Sequence, residues 1–488
     1  MPHREASIAS YISVVHQELL IAGYRIGGPC DQAVGKEVVR NPYDGSIVGT
    51  VAEGGWSELS TALASAHDAF DSWRKSSIGT RFELLLNIAS LTKARRQELA
   101  DLAVKEIGKP VNMALAEVDR LVRTFELAAK ELESDEWISR HVDISYDPRS
   151  QGAKAFVERR PRGVIFAITP YNWPYNLAAH KLAPALATGN TVILKPNPLS
   201  ALCTLTLAHL IHEAGCPPGV VNCWNGPTPL VDKALRDPRV KMISFTGSAA
   251  VGWSIKQAHS HLPVTLELGG NAPAIICSSA DLDQAIGKLV PSAYGYAGQV
   301  CISLQNLYVH ESVYDEVRIR LIEAVEAVST GDPSRQETLC GPLIGTSLVE
   351  KILNMIDASG GKVLVGGEPN GNLLPPQLIE EPRPGSPLMT EEVFGPVLTL
   401  SRFSDLGDLA KDLNCGKYGI HASIFTNSDD DILVASEIKT GGLIVNDSPS
   451  LRFDSLPYGG VRESGFGREG VCYAMEEMTE LRSTVIRP

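Results

Sequence analysis

An α/β protein built on parallel sheets is what this sequence predicts, and three observations predict it. From residue 163 to residue 267, apolar runs of four to six residues alternate with helical patterns, the signature of right-handed βαβ units. A second α/β alternation runs from about Asn271 to Val445. The chain has 488 residues, too many for one simple core, so two or three compact units are expected.

In chain order, residues 1–17 read as an N-terminal arm, helical in pattern, and residues 20–27 as a short hairpin strand. A first long helix follows, with Ser57 placed to cap it and Leu59, Ala62, Leu63, Ala66, Phe70 and Trp73 at helical spacing. A second begins its apolar face at Leu84, Leu85, Ile88 and Leu91 and stops at Gly108-Lys-Pro110. A third spans Glu117 to about Leu132 and carries Arg120 and Arg123 three residues apart. Those two arginines fit a solvated helix face or an anion site at a substrate mouth. Residues 154–160 alternate like a strand. Strands are then expected at 163–168, 191–194, 220–224, 241–245 and 264–266, with helices through His180, over 199–214 and from Ala249. In the second unit, strands fall at 274–276, 305–309 and 397–400, and helices at 312–328 and 346–358.

Sheets of this kind bind ligands beyond the carboxyl ends of their strands. The unusual residues sit there: Thr169–Trp173 after one strand, Lys195-Pro-Asn-Pro198 after the next, then Asn225-Gly226 and Thr246-Gly-Ser248. That placement suits a nucleotide. Residues 247–252 have the glycine spacing of a phosphate loop, but Trp253 stands where a lysine is required, which argues against a nucleoside triphosphatase.

Composition is that of an ordinary globular protein, 44% hydrophobic and 21% charged. The net charge of −13 argues against nucleic acid or an anionic membrane as partner. No run approaches a membrane span, and no signal segment follows the N-terminus. The nine cysteines are scattered, and none forms a close pair joined to histidines at zinc-ligand spacing, so no metal is expected. Free thiols in a reducing cytoplasm are the simplest account.

One cysteine has unusual company. Gly298-Gln-Val-Cys301 brings a flexible glycine next to a thiol, the segment 265–271 supplies the Glu267 carboxylate, and 169–174 supplies the Asn172 amide. A thiol, a base and an oxyanion donor are the minimum set for covalent chemistry at a carbonyl.

With Pro170-Tyr-Asn-Trp-Pro174, Lys195-Pro, Phe245-Thr-Gly-Ser248, Glu267-Leu-Gly-Gly270, Gly298–Cys301, Glu391-Glu-Val-Phe-Gly-Pro396 and Tyr458-Gly-Gly through Glu469, the chain resembles the aldehyde dehydrogenase superfamily. The resemblance implies a Rossmann-like NAD(P)-binding domain (18–139 and 161–269), an α/β catalytic domain (270–447), and oligomerising or bridging segments (140–160 and 448–488). The last form a β-ribbon that joins subunits into a homodimer or homotetramer. The resemblance also implies the roles. Cys301 attacks the aldehyde to give a thiohemiacetal, Asn172 and the Cys301 N–H hold its alkoxide, and Glu267 activates water to hydrolyse the ensuing thioester. Lys181 and Glu469 assist proton relay or form a structural ion pair. NAD or NADP falls to Ile168, Thr169, Pro170, Lys195, Asn197, Pro198, Gly226, Gly247, Ser248, Leu268, Glu392 and Phe394.

Some NAD-selective relatives carry a glutamate at the position of Pro198; its loss removes a charge that repels a 2′-phosphate, so NADP is expected to be tolerated. Residues 446–454 resemble the subgroup that oxidises lactaldehyde and phosphonoacetaldehyde. A small polar or anionic aldehyde is therefore the expected substrate, met by Arg452, with Arg120, Arg123 and Trp173 as further contacts. A brace for the loop before Pro457 is the other reading of Arg452. Rival readings are acyl transfer to coenzyme A, which Glu267 argues against, a thiol hydrolase acting without nicotinamide, and a catalytically silent binding protein.

Overall fold

The computed structural model describes residues 15–26, 28, 34–134, 137 and 139–488. Most of the N-terminal arm lies outside the described residues. Its last three, Val15–Gln17, form a strand rather than a helix and pair in parallel with Ile47–Glu53, which also pairs with Gly35–Arg40.

The larger sheet has eight strands. Its centre is Val164–Ile168, flanked on one side by Thr191–Lys195 and Val221–Cys223 and on the other by Val240–Thr246 and Val264–Glu267, all parallel. These strands are short and almost wholly apolar because helices cover both faces. The hairpin Leu19–Ile21 and Tyr24–Ile26 extends one edge, and Gly465–Phe466 the other. The chain runs outward from the central strand in one direction, then returns and builds in the other. The reversal leaves a crevice between the carboxyl ends of Val164–Ile168 and Val240–Thr246, where ligands of such sheets bind.

Beneath the sheet lies the helix Asn176–Thr188, all of whose residues are buried. Its alanines allow close approach by Ile78–Ala94 and Val111–Glu131. Leu85, Ile88, Leu121, Phe125, Leu182 and Leu186 join in one core. A second sheet of seven strands runs in the order Lys362–Val365, Gln377–Glu380, Val397–Phe403, Asn306–His310, Pro273–Ile276, His421–Phe425 and Gly442–Val445. It is parallel except at its first pair. A third, antiparallel sheet joins Arg140–Val142, Lys154–Pro161 and Thr479–Ile486. Among the described residues no helix is long and apolar enough to cross a membrane.

Three details of the helical N-terminal part differ from the sequence reading. Gly55, not Ser57, caps Trp56–Trp73, its N–H donating to the Glu58 carboxylate at 2.8 Å. The second helix is two, Ile78–Ala94 and Arg96–Ile107, broken at Arg95, and it starts from a Ser77 cap. The third starts at Val111, directly after Pro110, six residues before Glu117.

Candidate active site

Cys301 stands at the end of a strained approach. Tyr296, Ala297 and Gly298 take left-handed backbone angles in succession (φ 55°, 51° and 68°). For the two non-glycine residues that costs of order 1–3 kcal/mol each. Only glycine fits at 298, since a Cβ there would lie 2.2 Å from the Gly395 carbonyl oxygen. The buried Gln299 side chain ties this turn down: it donates to the carbonyls of Tyr296 and Pro342 (3.2 Å each) and accepts from Tyr171 Oη and Ile344 N–H (3.0 Å each).

The three groups singled out from sequence converge here. The Asn172 amide, on the loop after the central strand, donates to the Gln299 carbonyl at 2.8 Å, two residues before the thiol. Glu267 ends its strand fully buried, and neither carboxyl oxygen has a hydrogen-bond partner among the described residues. Burial first, then the nearby Glu469 charge, pushes its carboxyl well above the ordinary range. The Cys301 thiol is pushed up to about 11, chiefly by burial and further by Glu392 and Glu267, while Tyr458 and Arg452 act in the opposite direction.

Behind Glu267 lies a buried charge cluster. Lys181 Nζ meets Glu469 Oε1 at 3.0 Å and donates to Ser244 Oγ at 3.1 Å. Arg452, buried, reaches Glu469 at 3.4 Å and Asp454 at 3.6 Å, and its guanidinium lies 3.6 Å from the Tyr458 ring centroid. Asp454 also accepts from both Nε and a terminal nitrogen of Arg120 (3.1 and 2.6 Å), and it hydrogen-bonds His180 Nε2 at 2.9 Å. Burial opposes ionisation of Asp454, but His180 and Arg120 outweigh it and hold the carboxyl below its usual range. Glu469 is likewise held low against burial by Lys181, His180 and Arg452. Arg120 is the most open member, its guanidinium 5.5 Å from the Trp173 ring centroid. Arg123 does not join them. One turn position on, it is exposed, its charge acting on Asp119.

Most of the residues expected to hold the nucleotide lie at or just beyond the strand ends that border the crevice. Ile168, Thr169 and Pro170 end the central strand, and Thr169 N–H donates to the Lys195 carbonyl at 3.1 Å. Lys195 Nζ donates to the Pro196 carbonyl and is pulled down to about 8, mainly by burial, with Glu37 and Glu53 opposing. Asn197 and Pro198 form the following turn, the Asn197 carboxamide oxygen accepting from Leu199 N–H. Gly226 follows the Val221–Cys223 strand. Gly247 and Ser248 lead into the helix Ala249–Ala258, whose first turn has no side-chain cap and so offers free N–H groups to a phosphate. Leu268 packs under the same strand ends. The Glu392 carboxylate rests on Gly269, where a Cβ would lie 2.1 Å away, and accepts from Gly270 N–H at 3.3 Å. Phe394 sits edge-on to Tyr171, the ring centroids 6.0 Å apart. An uncapped helix start, a buried ammonium and a carboxylate over glycine fit a dinucleotide diphosphate and its riboses.

Three partners had no role in the sequence reading: His180, Asp454 and Tyr458, whose hydroxyl lies 3.1 Å from the Cys301 sulfur. Tyr458 and Asp454 belong to segments already quoted from the sequence, yet no local spacing marks what they touch.

Comparison with known proteins agrees with this geometry. The chain is 34% identical to 3-sulfolactaldehyde dehydrogenase of Priestia aryabhattai, over 95% of this chain and 98% of that one. It is 36% identical to lactaldehyde dehydrogenase of Methanocaldococcus jannaschii, over 92% and 96% of the two chains. The structure of glyceraldehyde-3-phosphate dehydrogenase from Methanocaldococcus jannaschii, complexed with NADP, superposes with a TM-score of 0.87 at 34% identity, covering 92% of this chain and 98% of that one. The model of the aldehyde dehydrogenase family matches residues 31–484, and the chain belongs to that family of NAD(P)-dependent oxidoreductases.

Proposed function

We propose that this enzyme oxidises a small aldehyde bearing a hydroxyl or anionic group to the carboxylate, with Cys301 as nucleophile. The observation that carries the mechanism is Glu267, a buried carboxyl with no hydrogen-bond partner among the described residues, held beside the thiol. Burying such a group unpaired costs free energy unless it has a task. Attack by sulfur forms the S–C bond and moves the carbonyl π pair to oxygen, where the Asn172 amide and the Cys301 N–H hold it. Lys195, Ser248 and Glu392 would hold NAD(P), which would accept the hydride that leaves carbon as the alkoxide collapses to the thioester. Glu267 takes a proton from the water that opens the thioester, and Lys181 with Glu469 passes that proton onward. Residues 18–139 and 161–269 hold the nucleotide, 270–447 carry the thiol, and 140–160 with 448–488 bridge subunits.

The substrate reading rests on Arg120, the open member of the cluster, with Trp173 beside it, while the buried Arg452 is held by Glu469 and Asp454 as a brace for its loop. An arginine binds an anionic head in a fixed fork, and Asp454 orients the Arg120 guanidinium for it. The names of the two relatives, lactaldehyde and sulfolactaldehyde dehydrogenase, denote 2-hydroxy aldehydes. The test is turnover of lactaldehyde, phosphonoacetaldehyde, glyceraldehyde 3-phosphate and propanal with NAD and with NADP. Polar aldehydes are expected to exceed propanal in kcat/KM by at least about tenfold, an advantage that Arg120→Ala reduces. With Pro198 in place of a glutamate, the two nucleotides should differ by less than about a thousandfold. Equal turnover of propanal sinks the substrate reading; activity surviving in Cys301→Ala sinks the mechanism.

A further inference from the structure

The Tyr458 residue is held by its backbone, and its ring by one T-shaped ring contact and one guanidinium over its face. Its backbone N–H donates to the Glu469 carbonyl at 2.9 Å and its carbonyl accepts from Glu469 N–H at 2.7 Å. The His421 ring meets it edge-on, the centroids 5.2 Å apart at 72°. The Arg452 guanidinium covers its face at 3.6 Å, and Glu469 and Asp454 hold that guanidinium in turn. The hydroxyl of this buried ring lies 3.1 Å from the Cys301 sulfur, within hydrogen-bond distance.

We infer that the Tyr458 hydroxyl is a catalytic residue of this enzyme, the hydrogen-bond donor that stabilises the Cys301 thiolate, kept in position and polarised by Arg452. The assignment rests on Cys301 being the nucleophile. A cation over the ring face draws electron density from the phenol and makes its O–H a stronger donor. Hydrogen bonds to an ionised partner are about twice as strong as neutral ones. Burial, Glu392 and Glu267 oppose the anion, and the Tyr458 hydrogen bond and the Arg452 charge favour it. Without the hydroxyl the balance moves further toward the thiol. The tyrosine keeps its own proton throughout. The proton on sulfur leaves to water in the pocket, the O–H then donates to the sulfur anion, and formation of the S–C bond releases it.

The experiment is the pH dependence of iodoacetamide alkylation of the full-length protein, with modification at Cys301 assigned by peptide mass. Tyr458→Phe keeps the ring, the stacked guanidinium and the His421 contact, and loses only the hydroxyl. It is expected to slow alkylation at neutral pH about tenfold, a displacement of the pH–rate line by about one unit, while NAD(P) binding read by tryptophan fluorescence stays unchanged. Arg452→Lys, a second variant should the first not fold, is expected to displace the line in the same direction by less. An undisplaced line in whichever variant folds overturns the assignment. Cys301→Ala separates the two readings: if it is inactive while the Tyr458→Phe line is unmoved, only the tyrosine role falls, and if it remains active the nucleophile falls first.

Discussion

The Glu267 carboxylate disfavours ionisation of the Cys301 sulfur, and burial disfavours ionisation of both. Glu267 is the base of the hydrolytic step only when ionised, and burial, then Glu469, keeps it protonated to higher pH than an ordinary glutamate. The rate of thioester hydrolysis should therefore rise as pH climbs through the raised value. Glu267→Gln removes that rise and lowers steady-state turnover by about 10²–10⁴-fold, while a first burst of reduced nicotinamide persists, because the burst precedes hydrolysis. Stopped-flow absorbance measures both phases, and a missing burst would move Glu267 to an earlier step. Thiol, amide and base were legible in sequence because each lies in a short motif of distinctive composition. Their surroundings were not. Asp454 meets Arg120 across 334 residues and His180 across 274, and no spacing rule encodes such convergence. Arg120 and Arg123 looked equivalent on the helix, yet only Arg120 turns inward.

At the level of elements, the helix Asn176–Thr188 depends on a carboxylate borrowed from another helix. Glu117 Oε1 accepts from the N–H groups of Tyr175 and Asn176 (2.9 and 3.1 Å), caps that the helix's own residues do not provide. Its other oxygen takes the buried Lys109 ammonium, which lies 3.9 Å from the Trp173 ring centroid. One ion pair thus fixes both the helix start and the loop that carries Asn172. Lys109→Met leaves Glu117 as an unpaired buried charge and should destabilise the protein by about 3–5 kcal/mol, read as a lower midpoint in urea. Loss of less than about 1 kcal/mol would show that the pair is dispensable. Sequence placed the helices of this layer but not all of their ends. Nothing between Thr92 and Gln97 is a glycine or proline, so the break at Arg95 is tertiary in origin: Arg95 reaches Glu213 and Arg96 reaches Asp119. The strands were easier, because runs buried on both faces are continuous in apolar residues.

For the whole molecule, the antiparallel ribbon gathers residues from two distant parts of the chain, 140–161 and 479–486. Thr479–Ile486 is an edge strand eight residues long, paired on one side with Lys154–Pro161 and open on the other. Leu481, Val485 and Ile486 on it are exposed, at 65%, 58% and 56%. A long apolar edge of this kind invites pairing with another chain, and a closed symmetric oligomer satisfies it without open-ended association. A homodimer or homotetramer is therefore the expected state, each interface burying upwards of about 1,200 Å². Light scattering after size-exclusion chromatography should give a multiple of 52.5 kDa. The double variant Leu481→Glu with Val485→Glu should shift the population toward monomer. Its far-UV circular dichroism should not change, because both side chains already face solvent within one protomer. A wild-type mass of one chain, or a double variant that stays assembled, would place the subunit contact elsewhere and leave this ribbon as a brace within the protomer.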